Sequence, residues 1–379
     1  MIKNIRQLTT SKERKLVLDI IEKVFEEIKT EKIIQEIVNV KKKTLCVKKK
    51  KFPLNEYKNI YLIGFGKSSA RMAYEIEKIL PIKEGYVNCI ERAKTKRVKI
   101  TVAGHPYPDK NTIIGTEKII SLLKKATKDD LIICCISGGG SSLLEKPIKE
   151  VSLEKLIKIN KKLISSGKSI YEINKIRKNI SQVKAGKLAL MTKATIVSLI
   201  ISDVVGNNIQ TIASGPTAIK RKNIHNLIIA DNGKIIETVK KECNRRKLNF
   251  NLITKEMKGE ARGVSKILFK KSKKGINLAL GETTVTIKGT GKGGRNQELA
   301  LSALNYLENK QVLASVATDG HDFIPVTGAI VDDLQKEKIN VKNFLKNNNA
   351  YPALKKLKDI IITGDTGINM MDFVLIYKG

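Results

Sequence analysis

Tryptophan is absent from this 379-residue chain, and aromatic residues make up only 4% of it. Its cores must therefore be built from Ile, Leu, Val and Ala, and it has little with which to make a base-stacking nucleic-acid platform. Cysteine is sparse too: Cys46, Cys89, Cys134, Cys135 and Cys243 show no C-x-x-C spacing. This argues against a zinc site or disulfide framework and for reduced thiols. No apolar run approaches the roughly 18 residues of a membrane helix. The polar stretch Met1–Ser11 lacks a signal peptide's apolar segment. A cytoplasmic protein with no membrane partner is expected. Acidic residues are few, 37 against 72 Lys and Arg, giving a formal charge of +35. Such an excess suggests a nucleic-acid binder. The cations, however, are mostly Lys, spread through nearly every helical segment without a recognition motif. A solvated Lys-rich surface is the expectation, one that helps draw in anionic substrates.

The length suits two domains, and a hydrophobic fraction of 41% suffices to bury both cores. Residues 12–40 are helical in pattern, with Leu16, Ile20, Val24 and Ile28 at one-turn spacing. Thereafter short apolar strands discharge into Gly/Ser/Asp loops. Ile60–Ile63 opens into Gly64-Phe65-Gly66-Lys67-Ser68-Ser69, and Val98–Ala103 into Gly104–Asp109. Leu131–Ile136 opens into Ser137-Gly138-Gly139-Gly140-Ser141-Ser142, and Thr195–Ile201 into Ser202-Asp203. This alternation predicts a Rossmann-like doubly wound parallel sheet with ligands beyond the strands' carboxyl ends. The pattern breaks at Lys220–Asn223, which places the division between domains 1–222 and 223–379. The second domain, also α/β, is expected to carry strands at Phe250–Ile253, Leu278–Leu280, Thr284–Lys288 and Val312–Ala317.

Gly64-Phe65-Gly66 is half of a dinucleotide fingerprint, but Ser69 stands where the third glycine belongs and Lys67 lies inside the loop. A phosphate or carboxylate suits such a loop better than a dinucleotide. Ser137–Ser142 has three consecutive glycines, which allow N–H groups to converge on an anion. Gly289–Gly294 is a second loop of this kind. Arg295 follows it at a helix start, where a cation opposes the helix dipole and calls for an anionic partner. Asn174, Arg177, Ser181 and Lys184 fall at helical spacing on one polar face. Asp203 stands where a metal ligand or base would be needed, ahead of Ser214, Gly215 and Thr217. His105, next to a proline, is assigned a structural role.

Taken together, GFGKSSARM, GHPYPD, SGGGSSLLEKP, NKIRKNISQVKAGKLA, ISDVVGNNIQTIASGPT, GETTV, GTGKGGRNQELAL, ATDG and TGDTGINMMD resemble the glycerate 2-kinase family with its C-terminal MOFRL domain. The match runs from about residue 12 to the C-terminus. The resemblance implies a smaller MOFRL-type second domain, ATP and Mg²⁺ as cofactors, and a site in an interdomain cleft. It implies Lys67 and Arg295 as the central cations and 2-phosphoglycerate as the product. Asp203 is then the candidate Mg²⁺ ligand or general base. Gly64, Gly66, Ser68, Ser137 to Ser141, Asn174, Arg177, Ser181, Lys184, Ser214, Gly215 and Thr217 are candidate binding residues. So are Glu282, Gly291, Gly293, Gly294, Asn296, Glu298 and Asp319. One Gly loop would hold nucleotide phosphates and the other the glycerate carboxylate, with the assignment open. The chain departs from the family at Asp319–Ala329, where Phe323 replaces a glycine, the second acidic position is lost near Val326 and the loop is one residue short.

The partners implied are glycerate and a nucleotide, with a homodimer left open. Two other classes remain as alternatives: an NAD(P)H-dependent hydroxypyruvate reductase and a basic nucleic-acid-binding protein. Any DNA or RNA affinity should fall steeply with added salt and show no sequence preference, as counterion release requires. Fluorescence polarisation across a salt series checks this, and a salt-resistant, sequence-selective complex contradicts it.

Overall fold

The computed structural model describes residues 1–165 and 170–379, without the side chains of residues 164, 165, 170, 171 and 174. The chain divides into two compact units, Thr30–Asp231 and a second in which Met1–Lys29 joins Asn232–Gly379.

The Thr30–Asp231 unit begins with a helix, Thr30–Ile37, and a small antiparallel sheet of β1 (Val38–Lys41), β2 (Thr44–Val47) and β3 (Lys50–Pro53). Its main sheet contains β4 (Asn59–Phe65), β5 (Glu84–Cys89), β6 (Val98–Val102), β7 (Asp130–Ile136), β8 (Thr195–Ile201) and β9 (Ile224–Ala230). The order is β6-β5-β4-β7-β8-β9, and every pairing is parallel. Every residue of β7 is buried, as expected where helices cover both faces of a parallel strand. This is the doubly wound order, in which the direction of winding reverses between β4 and β7.

The second unit has a mixed sheet of β10 (Phe250–Met257), β11 (Gly275–Gly281), β12 (Val312–Ala317), β13 (Gly328–Asp332), β14 (Ile360–Ile361) and β15 (Asp372–Lys378). Its order is β10-β11-β15-β12-β13-β14, with only β10 and β11 parallel. The register sets Asp372 opposite both Gly281 and Ala317, so the start of β15 lies between the ends of β11 and β12.

The helix Lys12–Glu27 belongs to this second unit because of what its inner face meets. Ser11 caps it by accepting the Arg14 N–H, and Phe25 packs 6.2 Å from the Phe373 ring. Arg14 is fully buried, and its guanidinium donates to Asp332 at 3.1 Å and Asp359 at 2.6 Å. Burial pushes the Asp359 carboxyl up, against the pull of Arg14.

Several expectations differ from the structure. The division falls at 231/232 rather than 222/223, because β9 pairs with β8 and completes the first sheet. Residues 1–29 pack with the C-terminal half. No strand forms at Thr284–Lys288, which makes one bridge, Thr284 to Glu260, and otherwise bonds to side chains. Strand β5 escaped the apolar-run criterion because it buries Asn88, whose amide donates to Thr112 O, Thr116 Oγ1 and Leu143 O. Among the described residues, no helix is long and apolar enough to cross a membrane.

Removing Arg14 would strand two buried carboxylates, the costly way to break an ion pair. Arg14→Met should lower unfolding free energy by about 3–5 kcal/mol in denaturant titration. A loss below about 1 kcal/mol, as for an exposed pair, would contradict the assignment.

Candidate functional site

The turns after β4 and β7 lie side by side where the winding reverses. Lys67 donates its backbone N–H to Gly138 O at 2.8 Å, and Ser68 donates its own to Ser137 Oγ at 2.9 Å. Gly66 has φ +124°, and a Cβ there would fall 2.4 Å from Ser137 Oγ, so only glycine fits. Gly64 packs within the sheet, where a Cβ would lie 3.0 Å from Cys135 O. Ser68 and Ser137 are both buried.

Three side chains gather over the second loop. A methyl on Gly138 would come within 2.3 Å of Asp203 Oδ2; one on Gly139 would meet His105 Nε2 at 3.0 Å and Lys67 Cγ at 3.2 Å. The sequence-based structural role for His105 is thus incomplete, since it also lines a cavity of about 230 Å³ with Gly139, Ser141, Asn160 and Arg177. Arg177 Nε donates to Asn160 Oδ1 at 2.8 Å, and burial lowers its pKa. Ser141 and Ser214 pair through their hydroxyls at 3.0 Å. The expected nest of amides is partly taken up internally: Gly140 N–H turns back to Ser137 O and Ser142 N–H to Gly139 O.

Other candidates are placed differently from expectation. The helix Ile170–Asn179 ends before Ser181 and Lys184, so these do not share its polar face. The Asn174 side chain lies outside the described residues. Ser181 is buried and its Oγ accepts the Val183 N–H. Lys184 is fully buried; its ammonium donates to Ser141 O at 2.7 Å and Leu144 O at 2.9 Å, and pairs with Glu145 at 3.2 Å. Burial lowers its pKa, opposed by Glu145. It is a prop beneath the Gly loop. Thr217 is also internal, accepting from Ser198 Oγ and donating to Asn226 Oδ1. Gly215 accepts the Gly186 N–H in the turn that carries Ser214.

In the second unit, Arg295 opens the helix Arg295–Ala303 and reaches back to β15. Both Nε and Nη2 bond Asp372, the latter at 3.0 Å, and Nη2 also meets Glu282 at 3.1 Å. Burial alone would lower the Arg295 pKa. The Asp372 bonds, with Glu282 and Asp322, overcome this and raise it, so the guanidinium stays charged. Asp322 accepts the N–H groups of Asn296 and Gln297 and so caps this helix. The anionic partners inferred for Arg295 are therefore supplied by the protein itself.

The Gly289–Gly294 loop is held by side chains. Asn348 accepts from Lys288 and Gly289, Asn347 from Thr290, and Asn349 from Lys292, while Gly291 N–H bonds Asn347 O. Asn296 is internal, bonded to Asp322 and Ser315. Glu298 accepts from Arg262 and Asn348. Asp319 accepts the His321 N–H at the end of β12. Gly291, Gly293, Gly294, Arg295 and Glu298 line a cavity of about 500 Å³ together with His321 and Phe323. The departing loop thus splits: Phe323 is exposed on this cavity, whereas Val326 is buried in the core.

Residues 16–246 match a family described as domain of unknown function DUF4147, and residues 276–372 match the MOFRL family. A glycerate 2-kinase from Pyrococcus horikoshii is 34% identical, the match covering 89% of this chain and 91% of that protein. A D-glycerate 2-kinase from Thermotoga maritima is 32% identical over 96% and 97% of the two chains. The crystal structure of a glycerate kinase from Thermotoga maritima superposes with a TM-score of 0.82 at 30% identity, covering 96% of this chain and 99% of that one.

Lys184→Met leaves Glu145 buried without its cation and frees two carbonyls. It should cost about 3–5 kcal/mol of stability by chemical denaturation. The double variant Lys184→Met/Glu145→Leu should recover much of that. Full stability in the single variant would show that Lys184 is not a prop.

Proposed function

We propose that this chain, which belongs to the glycerate 2-kinase family, transfers the γ-phosphoryl group of ATP to D-glycerate and releases 2-phosphoglycerate. The observation that carries the reading is the convergence of Lys67, His105 and Asp203 on Gly138 and Gly139, at the crevice where open α/β sheets bind ligands.

Phosphoryl transfer asks a protein for positioning and charge neutralisation more than for covalent chemistry. Lys67 is the cation for the migrating group in the first unit. Arg295 is its counterpart in the second, already charged and aimed by Asp372. Asp203 either takes the proton of the attacking hydroxyl or holds Mg²⁺. Among the described residues there is no cluster of three or more His, Cys, Asp or Glu side chains able to hold a metal. A single carboxylate such as Asp203 still fits Mg²⁺ as nucleotide sites use it, through one or two carboxylates plus phosphate oxygens. Bound there, the ion would neutralise phosphate charge.

Incubation with ATP and D-glycerate, with the product isomer identified by NMR, should yield 2-phosphoglycerate. NADH consumption with hydroxypyruvate and no ATP would instead favour a reductase. Lys67→Ala and Arg295→Ala should each lower kcat on the order of 10²- to 10³-fold, and wild-type turnover in either removes it from the mechanism. Asp203→Asn should lose most activity. A changed Mg²⁺ dependence marks a metal ligand, an unchanged one marks a base, and full activity excludes both.

A further inference from the structure

The two most exposed large apolar side chains among the described residues line the same cavity: Phe323, 84% exposed, and Ile287, 75% exposed. The cavity measures about 500 Å³ and carries Arg295 in its wall; the one beside Gly139 measures about 230 Å³ and is lined by His105, Ser141 and Arg177. Resting on the function proposed above, we infer that the two cavities divide the substrates. The larger seats the nucleotide, with Phe323 and Ile287 as an apolar clamp on the purine ring.

The chemistry of the substrates selects this arrangement. Glycerate is a three-carbon acid bearing a carboxylate and two hydroxyls, and it offers no face for an exposed Phe or Ile. The nucleotide alone carries a flat ring that can stack. A volume of about 500 Å³ lies within the range of sites for larger ligands, roughly 300–1,000 Å³. The smaller cavity falls below that range and brings a cation and a hydroxyl together, suiting a small carboxylate. Arg295 shares the large cavity with the apolar pair, so a ligand there meets a ring-binding edge and a phosphate-binding cation. Phe323 adopts φ +67°, a conformation unfavourable for a bulky residue, and its ring has no interior to fill.

The test titrates a fluorescent purine analogue, 2-aminopurine riboside triphosphate, in the absence of glycerate, and measures both KM values separately. Phe323→Ala should weaken analogue binding and raise the KM for ATP roughly 10-fold, within what base–aromatic stacking supplies. Its KM for glycerate should hold within about twofold, and inorganic triphosphate should bind the variant as it binds wild type. Ile287→Ser should act in the same direction. Unchanged nucleotide affinity in both variants, or a shift confined to glycerate, would overturn the division. If the wild type fails to phosphorylate glycerate yet binds the analogue in a Phe323-dependent way, the kinase reading falls and the purine clamp stands.

Discussion

The backbone N–H of Lys67 meets the Gly138 carbonyl over 2.8 Å, and the rest of the first unit's site is arranged around that contact. Register makes it possible. Phe65 on β4 pairs with Ile136 on β7, and Ile136 with Ile200 on β8, so three turns leave the sheet from adjacent strands at one level. Side chains at Gly66 or Gly138 would force those turns apart, one against Ser137 and the other against Asp203. Without them, Lys67, Asp203 and Ser141 come from three different turns yet occupy one crevice. Lys184 closes the arrangement from below by binding two carbonyls of the turn that follows the glycines.

The second unit solves the same problem with side chains. Its Gly-rich loop leans on the segment Asn347–Asn349, whose side chains take up the amides of Lys288, Gly289, Thr290 and Lys292 while Asn347 O takes that of Gly291. Arg295 then sits at the positive end of a helix, which is unfavourable for a cation. Asp322 at the helix N-terminus and Asp372 against the guanidinium offset that cost within the protein. An Arg fixed in this way needs no reorganisation when negative charge develops beside it, the condition under which electrostatic stabilisation is most effective. Under the proposed function, the salt bridge to Asp372 orients Arg295 rather than competing with a ligand for it.

The parallel sheet was legible because its strands are short apolar runs that end in glycine or serine: β4, β7 and β8 were all located from that pattern. β5 was not, since a buried polar residue, Asn88, interrupts it, and neither was β15, which begins at a buried aspartate. Local pattern also misjudged Asn174-to-Lys184 as one helix face, because nothing in i,i+3 spacing reveals that the helix stops at Asn179. Among the proposed site residues, Lys67, Asp203 and Arg295 come from loop chemistry and family resemblance. Asn160 was invisible: an Asn within an ordinary amphipathic helix gives no sign that it will hold Arg177. Asp322 and Asp372 were missed as partners because their ties to the helix at Arg295 span 26 and 77 residues, and such pairings are set by the fold.

The loop Asp319–Ala329 shows how one internal interaction governs a stretch where the chain departs from the family pattern it resembles. Asp322 must turn inward to cap the helix at Asn296 and Gln297, and its own N–H is held by Val326 O at 2.8 Å. With both ends of the hydrogen-bonded turn fixed, residue 323 is left in the left-handed region at φ +67°. Glycine accepts that conformation without cost, whereas a residue with a side chain is disfavoured by roughly 1–2 kcal/mol. The strain at Phe323 is therefore imposed by the adjacent cap at Asp322 and by the core at Val326, not by contacts of the ring. Val326, near the lost acidic position, is only 5% exposed and contributes to the core that holds the turn. The two departures have opposite physical meanings: one packs the interior, and the other is held outward by it.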